Sequence, residues 1–186
     1  MKLLSSPFGK MPTNIVLGKL KLVEMQNCLF HAPVEALEEL LSSCFFLENV
    51  NLKSCGMLDH LNLISSTLKN LVVHACDYIQ NGEIQAPQLV FFQLIGKIVE
   101  FSTIIVSGDL DVELHLESRP YHDIDYVQLI KLKKLLGNFD QARVLTIISK
   151  QHLVCHFFGE SSMLDPTASF STAFEDKIEQ VSVTSY

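Results

Sequence analysis

One nine-residue pattern recurs along this chain and limits how it can fold. Leu20, Val23, Met25 and Cys28 stand at offsets 0, 3, 5 and 8. Leu47, Val50, Leu52 and Cys55 repeat those offsets, and Leu68, Leu71, Val73 and Cys76 repeat them again. Weaker copies follow: Leu89, Phe92, Leu94 and Lys97; then Asp111, Leu114, Leu116 and Arg119; then Ala142, Leu145, Ile147 and Lys150. The end positions 28, 55, 76, 97, 119 and 150 are separated by 27, 21, 21, 22 and 31 residues. A unit this short cannot bury its apolar side alone, so successive units must stack on one another.

These offsets and steps are those of a leucine-rich repeat, one strand plus a return segment per coil. The fold class expected is α/β: a solenoid with a curved parallel β-sheet on one side and short helices, turns or short strands on the convex side. The longer steps have room for helices. In the first, Pro33 suits an N1 position and Val34, Leu37, Leu40, Leu41 and Cys44 form one apolar stripe. In the 31-residue step, Asp123 or Asp125 can cap a helix from about Tyr126 to Leu136, with Gly137 placed to end it. The 21-residue steps hold only a brief return through Leu61 and Leu63, or through Ile84. Leu58, Leu61 and Leu63 also fit the strand template, so spacing alone leaves the register between residues 55 and 68 open. The returns at Leu63 and Ile84, each five residues before the next repeat's first leucine, favour the assignment above.

The repeats divide the chain into an N-terminal segment, residues 1–19, the repeats at 20–150, and an irregular Ser/Thr-rich tail at 151–186. No polar capping unit is legible before Leu20, so the N-terminal edge is expected to be covered by another domain or to associate. Composition supports a folded chain: 48% of the 186 residues are hydrophobic and 19% charged. No apolar run reaches the roughly 20 residues of a membrane-spanning helix, and no secretory signal is legible at the start. A net charge of −7 argues against a nucleic-acid partner. Lys131, Lys133 and Lys134, beside leucines on a helix, read as a solvated face. Five cysteines without a CxxC spacing fit a reducing compartment, cytoplasmic or nuclear.

Side chains alternate along a strand, so the residues between the template positions face the concave surface. They are Leu22, Glu24, Gln26; Asn49, Asn51, Lys53; Asn70, Val72, His74; Phe91, Gln93, Ile95; Glu113, His115, Glu117; and Val144, Thr146, Ile148. The candidate protein-binding residues are Asn51, Lys53, Val72, His74, Phe91, Gln93, Ile95, Glu113, His115 and Glu117, with Phe91 and Ile95 as apolar anchors. The alternative for Val72, Phe91 and Ile95 is packing on one another or under the tail. Cys28, Cys55 and Cys76 read as small buried residues at the turn leaving each strand. Their gaps supply no paired metal ligands. His152, Cys155 and His156 are the compact Cys/His cluster, without a second cluster to complete a metal site. Asp109, Asp111 and Glu113 alternate on one strand but lack the glycine of a calcium loop. No nucleotide motif is present, and no cofactor is implied.

Several segments carry a resemblance beyond the repeat itself. They are Glu35-Ala36-Leu37-Glu38-Glu39-Leu40-Leu41-Ser42-Ser43-Cys44, Leu47-Glu48-Asn49-Val50-Asn51-Leu52-Lys53-Ser54-Cys55 and Ser65-Ser66-Thr67-Leu68-Lys69-Asn70-Leu71-Val72-Val73. With Ala86-Pro87-Gln88-Leu89 and Leu135-Leu136-Gly137-Asn138, they resemble the repeat region of plant F-box/LRR proteins of the FBD type. That resemblance implies repeats that hold the substrate of a ubiquitin ligase, whose F-box docks on the Skp adaptor. Residues 1–19 are too short for an F-box and the tail is unlike an FBD domain. The expectation is therefore a non-enzymatic scaffold that binds a protein or peptide on its concave face, an isolated or truncated repeat region without a Skp contact. The alternatives are a small hydrolase or metal-dependent enzyme using His152, Cys155 and His156, and a truncated product without selected function.

Overall fold

The structure is a computed structural model that describes residues 2–4, 19–29, 35–106, 108–116, 126–140, 142–149 and 180–185. In chain order the elements are β1 (Lys2–Leu4), β2 (Leu22–Gln26), α1 (Glu35–Ser42), β3 (Asn49–Lys53), β4 (His60–Ile64), β5 (Asn70–His74), β6 (Asn81–Gln85), β7 (Phe91–Gly96), β8 (Glu100–Ile105), β9 (Leu110–Leu116), α2 (Tyr126–Gly137), β10 (Ala142–Ser149) and β11 (Gln180–Ser185). Eight strands form one sheet in the order β1-β2-β3-β5-β7-β9-β10-β11, and three form another in the order β4-β6-β8. Every pairing is parallel. Consecutive large-sheet strands of the middle repeats are joined through one small-sheet strand, so each coil is a strand, a turn, a second strand of the same length and a turn. The chain is a leucine-rich-repeat solenoid.

The core lies between the two sheets. Val23, Met25, Val50, Leu52, Leu71, Val73, Phe92 and Leu94 enter it from the large sheet, and Leu61, Leu63, Ile84 and Phe101 from the small one. Phe92 joins the layers: its ring meets Phe101 edge-on at 5.8 Å and Phe139 at 5.5 Å. The returns expected through Leu63 and Ile84 are β4 and β6, which settles the register around residues 55 to 68.

The steps with room for helices contain them. Leu37, Leu41 and Cys44 of the expected stripe are buried and Leu40 is partly so, whereas Pro33 and Val34 lie outside the described residues. α1 lies beside β4, where Glu38 Oε1 accepts a hydrogen bond from Asn62 N at 3.2 Å. α2 lies beside β8, with Lys131 and Lys134 at 3.6 and 3.7 Å from Glu100. Each edge of the small sheet is thus flanked by a helix, which shields its unpaired backbone groups. α2 ends on Gly137, but not through a left-handed glycine, since Gly137 has no positive φ. Tight backbone turns close the end instead, Asn138 N donating to Leu135 O at 3.1 Å and Phe139 N to Leu136 O at 2.9 Å, while Asn138 Nδ2 ties it to β8 by donating to Phe101 O at 2.9 Å.

Three expectations need correction. The fifth repeat is displaced by two residues: Phe92 pairs with Val112 and Leu94 with Leu114, so its template is Asp109, Val112 and Leu114 rather than Asp111, Leu114 and Leu116. A shift of two leaves every side chain on its own face, so alternation could not reveal it. Asp111 is consequently not a template position but the open-face partner of Phe91, and Glu117 falls outside the described residues. The edge of β2, expected to be covered by another domain or to associate, pairs instead with β1 through Lys2, Leu3 and Leu4. In the tail read as irregular, β11 pairs with β10 over six residues.

Candidate binding face

The face of the large sheet turned away from the core is laid out by parallel, in-register stacking. Leu22, Asn49, Asn70, Phe91, Asp111 and Val144 form one row across the strands. Glu24, Asn51, Val72, Gln93, Glu113 and Thr146 form the next, and Gln26, Lys53, His74, Ile95, His115 and Ile148 the third. Leu22 and Lys53 are exposed and the other sixteen are half-buried. Nine of the ten candidate residues, all but Glu117, therefore stand on this one face. Phe91 and Ile95 sit at the two ends of the face on β7, and Val72 lies on the neighbouring β5.

Polar side chains on the face pair mostly along rows. Asn70 Nδ2 donates to Asn49 Oδ1 at 2.7 Å, and Gln93 Nε2 donates to Glu113 Oε2 at 2.6 Å. His115 Nε2 stands 3.7 Å from that Glu113 oxygen. Asp111, a weak first template position in the sequence pattern, forms a 2.6 Å pair with Arg143. Arg143 reaches it because the β9–β10 register slips between Ala142 and Val144, an irregularity that repeat spacing does not encode. At the rim, Glu48 joins Lys21 and Lys69 at 2.9 and 3.3 Å. Hydrogen bonds from the two ammonium groups hold its carboxyl below the usual carboxylate range.

The chain leaves the face through a repeated left-handed turn. Asn27, Ser54 and Ala75 have φ of 53°, 51° and 50°, and each precedes a cysteine. Their N–H groups continue the ladder to Lys53 O, His74 O and Ile95 O at 2.9, 2.8 and 2.7 Å. This turn rotates the next residue inward, which accounts for the cysteines' period. Cys55 and Cys76 are buried and Cys28 is half-buried. Cys55 Sγ donates to Met25 O at 3.7 Å and Cys76 Sγ to Leu52 O at 3.6 Å, each a carbonyl of the preceding coil. The neighbouring Cys76 thiol and burial push Cys55 up, and burial raises Cys28 and Cys44. Each of these shifts favours the thiol over the thiolate, which slows reaction as a nucleophile.

Among the described residues no group of three or more His, Cys, Asp or Glu side chains is arranged to hold a metal ion. The acidic strand residues are engaged otherwise, Asp111 by Arg143 and Glu113 by Gln93 and His115. His152, Cys155 and His156 lie outside the described residues. No described helix is long and apolar enough to cross a membrane. Away from the face, Phe45 and Phe46 are exposed in the turn between α1 and β3, and Ile64 and Ile105 at the ends of β4 and β8. Sequence patterning did not single these out, because isolated apolar residues in short turns carry no periodic signal.

Comparison with known proteins agrees with this architecture. A putative F-box/LRR-repeat protein of Arabidopsis thaliana, At5g02930, is 29% identical over 126 residues, covering 61% of this chain. The chain spans 27% of that relative's length. No solved structure matches the chain. The family described as At1g61320/AtMIF1, LRR domain, matches residues 9–155, most of the described coils included. Repeat offsets, parallel stacked coils and that match lead to one conclusion: the chain belongs to the At1g61320/AtMIF1 leucine-rich-repeat domain family.

Proposed function

We propose that this chain is a binding scaffold that holds a protein or peptide on the open face of its large sheet. One observation carries the reading. In-register stacking sets three continuous rows of mixed polar and apolar side chains on a single face, with Phe91, Val72 and Ile95 near its middle. Recognition surfaces have this composition, an apolar anchor within polar groups that fix orientation. Cys55 and Cys76, which follow the strands of the face, are buried rather than presented on it.

The finer reading is that the bound protein is held as a substrate of a ubiquitin ligase, as the name of the F-box/LRR-repeat relative suggests. The proposed site of action is the cytoplasm or nucleus, in keeping with thiols that stay reduced. Affinity capture from plant extract tests both levels. Proteins bound by the wild-type chain should be lost with Phe91→Ser plus Ile95→Ser and retained with Ile64→Ser, a substitution on the opposite sheet. Equal melting temperatures would show that the variants are folded. Retention by the double variant refutes the face. Skp and cullin subunits among the captured proteins would support the ligase link, and their absence would leave the scaffold alone.

A further inference from the structure

Hydrogen-bonding capacity is spread unevenly over the open face. On β7, β9 and β10 polar groups are paired through the Gln93–Glu113 and Asp111–Arg143 contacts, with His115 close to Glu113. Among the described residues, Asp111 Oδ1 is the only buried side-chain oxygen or nitrogen without a hydrogen-bond partner. Asn49 and Asn70 are bonded to each other. A different situation holds on β3 and β5, from the middle of β3 to the C-terminal ends of both strands. Among the described residues, the side chains of Asn51, Lys53 and His74 have no hydrogen-bond or ion-pair partner. Lys53 and His74 are direct partners in adjacent strands, and Asn51 is paired with Val72. Ile95 is the next residue after His74 in its row, and Phe91 stands at the near end of the same strand β7.

This patch therefore offers an ammonium, an imidazole and a carboxamide beside three apolar side chains. The carboxylates nearest in the rows do not complement it. Asp111 and Glu113 are already engaged two strands away, and Glu24 stands across the row from Asn51 and has a contact of its own. A free cation in the end row of the face, on a chain of net charge −7, is a local exception to the protein's charge. At physiological salt the Debye length is about 8 Å, so the local group, not the net charge, decides which side chain settles there.

We infer that the patch takes an extended peptide segment carrying an Asp or Glu side chain close to a large apolar one. The carboxylate accepts charge-assisted hydrogen bonds from Lys53 Nζ and a His74 ring N–H. Asn51 pairs with the segment's backbone amides, and the apolar side chain lies on Val72, Phe91 and Ile95. A basic segment is disfavoured twice: it meets Lys53 head-on, and the acidic groups that would welcome it are occupied. The inference rests on the reading of this face as a binding surface.

The test is selection of a random linear peptide library on the full chain, with wild type, Lys53→Glu and Phe91→Ser compared. Enriched peptides should carry Asp or Glu within about three residues of Phe, Leu, Ile or Trp. Measured by fluorescence polarisation, their affinity should fall at least about tenfold for Lys53→Glu. It should survive Lys53→Arg and weaken as salt rises. Melting curves establish that each variant is folded. Enriched peptides that depend on Phe91 but are neutral or basic, and are indifferent to Lys53→Glu, would overturn the inference and leave the binding face standing. Peptides indifferent to Lys53→Glu, Phe91→Ser and Ile95→Ser alike would overturn both. Both fail as well if nothing is enriched beyond the Lys53→Glu background.

Discussion

Replacing Gly82 by alanine tests how closely the coils stack. Gly82 lies in β6, the central strand of the small sheet, with β4 on one side and β8 on the other. A Cβ there would stand 2.4 Å from Leu61 O and 3.1 Å from Phe101 Cε1. Carbon–oxygen contacts close to no less than about 3.3 Å, so β4 and β6 would have to separate by roughly 0.9 Å. The ladder resists that, since Gln80 N bonds Asp59 O at 2.8 Å and Ser65 N bonds Gln85 O at 3.0 Å. Stretched by that amount, such bonds leave hydrogen-bonding range. Overpacking of this kind costs about 1–3 kcal/mol. The reduced freedom of the unfolded chain returns about 0.4–1 kcal/mol. At the middle of both ranges the net is a loss of about 1.3 kcal/mol, a fall in Tm of about 3–5 °C for a chain of this size. Circular dichroism melts and urea titration measure it, and amide exchange at residues 81–85 should rise in parallel. Gly137→Ala is the control. That glycine is in a helix with nothing within 4 Å of a built Cβ and no positive φ, so the substitution should stabilise by about 0.4–1 kcal/mol. A Gly82→Ala chain as stable as wild type would refute the close approach of β4 and β6.

Other outcomes follow from the packing and the charges. Phe92→Ala should cost about 3–5 kcal/mol by urea titration, because Phe92 is fully buried between Phe101 and Phe139. A loss below about 1 kcal/mol would mean the two sheets do not share that core. Glu48→Gln should lower Tm at pH 7 but leave it unchanged at about pH 2. The folded carboxyl is held below its ordinary value, so its contribution is present above that value and lost as pH falls through the lowered one. Iodoacetamide at pH 8 should label Cys28 before Cys55 and Cys76, which are buried and should react only on unfolding. Peptide mapping by mass spectrometry reads the order, and early labelling of Cys55 would contradict the inward turn after each strand.

Where the sequence was informative, its physics is simple. A strand whose inner residues are Val50 and Leu52, followed by a turn onto Cys55, has the same offsets in neighbouring coils because parallel stacking superimposes them. The three strong repeats and the returns through Leu63 and Ile84 were legible for that reason. Helix α2 was legible because a 31-residue step cannot close through a short strand. The fifth repeat misled because a two-residue slip preserves alternation, so Asp111 fits the first template position although it pairs with Phe91 on the open face. β11 was missed because Val181 and Val183, paired with Leu145 and Ile147, match only two template positions. β1 has three residues, too few for any pattern. Within the binding face, row membership followed from alternation. Which polar groups are already paired did not, since the Arg143–Asp111 contact depends on a slip between Ala142 and Val144.

Hydroxyl-radical footprinting of the chain with and without a peptide or protein it retains is the most direct test that the open face is the binding surface. Oxidation of Phe91, Ile95 and His74 should fall on binding, while Ile64 and Ile105 on the opposite sheet should be unaffected. Protection of Ile64 and Ile105 with unchanged labelling of Phe91 and His74 would contradict the account.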